Sequence, residues 1–190
     1  MHSSRNKKGN KARHFVLGLS ALEMLIVFAA IAIVVLISVP GSTQLLEKYR
    51  LKSAESSLIK SLELARIEAQ KRSSTVIVCP SSNGHSCRRD NNWDHGWVVF
   101  SDGNGNGTVQ DIELVESFPA PHERITIEAA GATKSRASFT STGLLGDHDA
   151  MTGQFTICMK GSSAAPRLFE VEADGWIKQV PPENETCDFG

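Results

Sequence analysis

Three groups of residues in this sequence stand out as candidate metal ligands, crosslinks or phosphate contacts. The first is Asp102, Asn104, Asn106, Gly107 and Glu113, which satisfy the calcium-loop pattern D-x-[DN]-x-[DN]-G-x5-E, with Thr108 placed to offer a backbone carbonyl and Gln110 near the ninth position. Hard oxygen ligands at alternating positions can converge on one cation because the glycine permits a sharp turn. The flanking segments read as strands rather than the paired helices of an EF-hand, and Gly/Asn-rich hairpin loops form without metal. No cofactor is required on this reading, and calcium at the Asp102–Glu113 loop is an expectation from spacing alone.

The second group is Cys79, Cys87, Cys158 and Cys187. Zinc prefers ligand pairs such as C-x-x-C, and neither close pair here has that spacing. An even count on the exported side of a membrane segment reads instead as two disulfides, with three connectivities open by arithmetic. The short Cys79 to Cys87 separation favours local pairing, which leaves Cys158 with Cys187. The third group is basic and aromatic: Arg88 and Arg89 beside the Cys79–Cys87 loop are candidate phosphate contacts, and Trp176 with Lys178 could stack on and neutralise a nucleic-acid strand.

Catalysis has little support. The histidines lie in the basic start of the chain or in turn-rich segments, and there is no H-E-x-x-H or nucleophile-elbow pattern. The chain is therefore not read as an enzyme. Its formal net charge is −1, but Arg5, Lys7, Lys8, Lys11 and Arg13 put five of the 20 basic residues before Gly18 and none of the 21 acidic ones. Removing that leader leaves 15 basic against 21 acidic residues, or −6. A generic nucleic-acid binder needs a net basic face, so DNA is not the favoured partner.

Ahead of all three groups lies Leu19–Val39, a run of 21 largely apolar residues. As a helix at about 1.5 Å per residue this run spans about 31 Å, enough to cross a bilayer. The positive charges before it keep the leader cytoplasmic and deliver everything after Val39 to the other side. Glu23 inside this run costs a few kcal/mol to insert, about 2.5–3.5 at a helix centre and less near an end, so it calls for a partner.

Pro40 beside Gly41 interrupts the hydrogen-bond ladder, and helical periodicity resumes at once, which predicts a kink. From about Thr43 to Arg72, Leu45, Tyr49, Leu58, Leu62, Ala65 and Ala69 are expected on one buried face, with Lys48, Lys52, Glu55, Lys60, Glu63 and Arg66 on polar positions. Beyond Ser73 short β-prone runs follow: Thr75–Cys79, Gly96–Ser101, Glu113–Phe118, Ile125–Ala129, Ala137–Thr140, Gln154–Cys158, Leu168–Val171 and Trp176–Val180, the last two joined by Asp174-Gly175. The expected class is α+β, a long N-terminal helix packed on antiparallel sheet. Its parts are a leader over 1–18, the helix over 19–72 with a membrane segment at about 19–39, and a β-rich head over 73–190.

Gly18-Leu19-Ser20-Ala21-Leu22-Glu23 resembles the prepilin cleavage motif, in which a membrane peptidase cuts after glycine and glutamate is the fifth mature residue. The family most often has phenylalanine and threonine where this chain has Leu19 and Ser20. The resemblance implies a methylated amine on Leu19 and a Glu23 carboxylate that pairs with the amine of a neighbouring subunit during assembly, giving a buried charge its partner. Pro40 falls where many pilins carry a helix-bending proline.

Leu64-Ala65-Arg66 followed by Glu68-Ala69, the strand into Cys79-Pro80, and Gly96-Trp97 before Val98-Val99-Phe100 narrow the resemblance to the FimT/GspH family of minor pilins and pseudopilins. It covers most of Gly18 to about Thr142. What it implies is a pilin-like fold and a structural role in the initiation or tip complex of a type IV pilus. The alternatives are a pseudopilin of a type II secretion system and a DNA-uptake pilin. Implied partners are other major and minor pilins or pseudopilins, the prepilin peptidase and the inner membrane. The implied location is a single-pass inner-membrane protein with a periplasmic head, then a pilus or pseudopilus. Some FimT-like members are associated with DNA through a motif resembling G-R-x-R, where this chain has Gly175-Trp176-Ile177-Lys178.

Overall fold

The structure, a computed structural model, describes residues 20–146, 152–182 and 187, and the side chains of 35–43 also lie outside the description. Gly18 and Leu19, the expected cleavage site, fall outside it. The chain forms two compact units, Met1–Ser42 and Thr43–Gly190.

Helix α1, Ala21–Arg72, contributes to both units. Its start is capped: the Glu23 amide donates to Ser20 Oγ at 3.2 Å, and Met24 N donates to Ser20 O. Serine at the cap with glutamate three residues on is the capping-box sequence, and the carboxylate suits the positive end of the helix dipole. Large apolar side chains from Leu22 to Val34 are 44–71% exposed. The helix runs through Pro40 and Gly41, and the expected kink falls on residues whose side chains lie outside the description. Among the described residues no helix is long and apolar enough to cross a membrane. The expected span Leu19–Val39 lies partly outside those residues.

In the second unit α1 buries Leu51, Ala54, Leu58, Leu62, Ala65 and Ala69. Steps of three and four residues keep all six on one stripe. Leu45 and Tyr49, expected on that face, are 71% and 69% exposed. The reason is phase: nine residues separate Tyr49 from Leu58, about two and a half turns at 3.6 per turn, so they lie on opposite sides. Glu55, expected on a polar position, is buried and accepts from Gln179 Nε2 at 3.3 Å. The helix stops after Arg72 in a Schellman arrangement, with Ser74 N on Ala69 O, Ser73 N on Gln70 O, and Ser73 at φ 51°.

Among the described residues eight strands follow: β1 Thr75–Pro80, β2 Gly96–Asp102, β3 Leu114–Pro119, β4 Ile125–Gly131, β5 Ala137–Phe139, β6 Gly153–Met159, β7 Arg167–Val171 and β8 Ile177–Val180. They form two four-stranded sheets, β3-β2-β1-β5 and β4-β6-β7-β8, and neighbouring strands in both run antiparallel. The class is α+β, a helix packed on antiparallel sheet.

One core gathers the α1 stripe with the inner faces of both sheets, including Val76, Val78, Trp97, Val99, Phe155, Ile157 and Phe169. Strand alternation sends Ile77, Cys79, Val98 and Phe100 to the other face of the first sheet, where Cys87, Val109 and Leu114 cover them. All of β2 is buried for that reason. Gly96 allows it to run close to its neighbour: a Cβ there would stand 2.5 Å from the Phe118 carbonyl oxygen, and φ is +96°.

Trp93 joins the sheets. It is fully buried, meets Phe155 edge-on at 5.2 Å, and donates from Nε1 to the Lys134 carbonyl. Next to it, Asp94 Oδ1 accepts the Ile127 amide of β4 at 2.6 Å. Glu47 fastens the base of the helix to the second sheet, accepting from Ser162 Oγ at 2.7 Å and pairing with Arg124 at 3.2 Å. The Ser162 hydrogen bond, with help from Arg124, holds its carboxyl below the usual range.

Candidate functional site

Two disulfides bracket the head, Cys79–Cys87 and Cys158–Cys187. The first closes a short loop that leaves β1 and turns through Asn83, whose Oδ1 accepts the amides of His85 and Ser86. Arg88 and Arg89 follow immediately. Arg88 N donates to the Pro80 carbonyl at 2.7 Å, which brings the segment back against the end of β1. The Arg88 guanidinium then grips Asp90 with Nε on one carboxylate oxygen and Nη2 on the other.

That bidentate grip holds the Asp90 carboxyl at about 2, down from 3.8, with the Arg88 hydrogen bond as the largest cause. A carboxyl depressed on folding stabilises the fold at any pH above its unfolded value, and the contribution is lost as pH falls through about 2. An NMR titration is expected to place the Asp90 midpoint near 2 in the native protein. In Arg88→Ala the midpoint is expected to return to the ordinary aspartate range, and an unchanged midpoint would refute the pairing.

The Asp102 loop turns on its own hydrogen bonds. Asp102 accepts the amides of Asn106 at 2.9 Å and Gly107 at 3.0 Å. Asn104 Oδ1 accepts the same Asn106 amide, while Asn106 Oδ1 accepts both the amide and the hydroxyl of Thr108. The loop's own donors thus engage the side-chain oxygens of three residues that the spacing offers to calcium. At its far end Glu113 O accepts the Ser101 amide, and Glu113 Oε2 is buried without a hydrogen-bond partner. Among the described residues no three His, Cys, Asp or Glu side chains gather as a metal-binding group. The arrangement is that of a loop which holds its own shape.

The structure gathers Arg88 and Arg89 along one cleft, which Trp176 and Lys178 do not line. Trp176 follows the β7–β8 turn with its ring under the Arg66 guanidinium, 4.3 Å from the centroid. Arg66 also donates to the Gly143 and Asp174 carbonyls, so this arginine of α1 fastens the helix to the second sheet. Lys178 stands opposite Glu170 in the β7–β8 register. Sequence reasoning missed Arg136, which lines the same cleft from the β4–β5 connection. No local signal could have found it, since it meets Arg88 and Arg89 only through folding.

The sequence profile of the type II transport protein GspH matches residues 54–175. The chain belongs to the GspH family. Family membership makes it a pilin-like structural subunit, a minor pilin or pseudopilin of the cell envelope. A minor pilin FimU of the type IV pilus of Pseudomonas aeruginosa is similar in structure, with a TM-score of 0.55 and 19% identity over 73% of this chain and 93% of that one. The minor pseudopilin EpsH of the Vibrio cholerae type II secretion system gives 0.51 and 12% identity over 71% and 99%. At these identities the two structures show the shared fold. No curated protein matches by sequence.

Proposed function

We propose that this GspH-family chain is a minor pilin cut after Gly18, held in the inner membrane by α1 with its head in the periplasm, and drawn into the initiation or tip complex of a type IV pilus. The observation that carries this is the first part of α1, a capped helix whose large apolar side chains from Leu22 to Val34 are 44–71% exposed. Each such side chain gains about 1.5–3 kcal/mol when removed from water, so the segment is driven into lipid or against other apolar helices. Glu23 at the start of that helix then supplies the one carboxylate that can select a neighbour carrying a free amine.

Expressing the full chain with and without prepilin peptidase tests the processing. The expected product begins at Leu19, methylated there, by intact mass and peptide sequencing. An intact start, or cleavage beyond Val39, would remove the assembly mechanism. Glu23→Ala is expected to leave insertion intact and abolish entry into fibres. The family's type II transport description favours the second reading, a pseudopilin. A deletion strain decides between them: loss of surface fibres and twitching supports the pilus, whereas loss of enzyme secretion supports the other.

A further inference from the structure

Three loops far apart in sequence converge on one cleft of about 580 Å³. Arg88 and Arg89 come from the segment after Cys87, Gly107 and Thr108 from the Asp102 loop, and Ser135 and Arg136 from the β4–β5 connection. Arg136 crosses onto the Asp102 loop, where a Cβ at residue 107 would meet its Nη1 at 3.0 Å. Residue 107 also has a φ of +65°, so glycine both shapes that loop and leaves room for the guanidinium.

The charges of this cleft are unevenly matched. Arg88 is taken by Asp90, while Arg89 and Arg136 make no ion pair among the described residues. Asp102, the acid of the adjoining loop, is occupied by two backbone amides. Two exposed guanidinium groups are therefore left for a ligand.

What they suit is legible in the cleft itself. A guanidinium fork matches a planar carboxylate through two parallel hydrogen bonds, and Arg88 holds Asp90 in that way. Among the described residues the remaining wall is rich in hydroxyl and amide groups and carries no aromatic side chain. Without an aromatic platform there is nothing for bases to stack on, which argues against a nucleic-acid strand. A ligand that combines spaced carboxylates with many hydroxyls fits both the charge and the polar wall. We infer that this cleft binds an acidic polysaccharide, with uronate carboxylates on Arg89 and Arg136 and sugar hydroxyls on Thr108 and Ser135.

The attraction is local and exposed, so binding weakens as salt rises. The test uses the full chain in non-ionic detergent and fluorescence anisotropy of labelled oligogalacturonate at low salt. The expected result is a rise in anisotropy that unlabelled oligogalacturonate reverses and neutral dextran does not. The double variant Arg89→Ala/Arg136→Ala is expected to weaken binding at least about tenfold, because two charge-assisted contacts are lost. Lysine at both positions should restore only part of it, since the charge returns without the fork. Both side chains are exposed and make no ion pair among the described residues, so melting of the variants should match the native protein. No rise in anisotropy, or an undiminished one in the alanine variant, would overturn the inference. Tighter, arginine-dependent binding of oligothymidylate would overturn it too, making this a nucleic-acid site.

Discussion

Replacing Trp93 by alanine is expected to destabilise the head by about 3–5 kcal/mol, the range for emptying a fully buried aromatic position. The size of the effect follows from where the ring sits. Trp93 belongs to the segment entering β2 of the first sheet, yet its ring meets Phe155 of β6 in the second, and Phe155 stacks in turn on Phe169 of β7 at 5.2 Å. Truncation would open a cavity at this junction and leave the Lys134 carbonyl without the Nε1 donor. Denaturant unfolding of the native and Trp93→Ala proteins measures the difference. A loss below about 1 kcal/mol would mean that the junction repacks around alanine and that Trp93 is not what joins the sheets.

Changing Cys158 to serine is expected to cost about 2–5 kcal/mol under oxidising conditions. The bond to Cys187 spans 29 residues and ties the chain beyond β8 to β6, the strand between β4 and β7. Constraining the unfolded chain over a loop of that size accounts for most of the expected gain in the chain-entropy description. Thermal melting of oxidised native and Cys158→Ser proteins checks this, and coincident melting curves would refute the contribution. The Cys79–Cys87 bond closes only 8 residues, so its removal should cost less in entropy. Its position beside the arginine cleft makes it a matter of local shape.

Much of the secondary structure was legible in local pattern. All eight β-prone runs became strands, with ends shifted by at most two residues, because apolar alternation and the turn residues between runs are local properties. The helix was legible for the same reason, but its phase was not. Placing Leu45 and Tyr49 with Leu58 joined two stretches across a gap too long for spacing alone to hold the register, and the buried stripe starts instead at Leu51. Glu55 shows the other limit: glutamate reads as a surface residue until Gln179, far along the chain, arrives to cover it.

The kind of molecule is already written along the linear chain: a basic start, an apolar run bearing one glutamate at the spacing of a prepilin, an amphipathic continuation and a strand-rich head with four cysteines. Those features are periodicities, compositions and short spacings, which a chain carries before it folds. Folding alone sets how the strands divide into two sheets, where Trp93 from outside any strand meets Phe155 of the second, and how Arg66 lies over the Trp176 ring. It also brought Arg136 beside Arg88 and Arg89. These are contacts between residues dozens of positions apart, fixed by how helix and sheets bury their apolar faces together, and no window of sequence contains both partners.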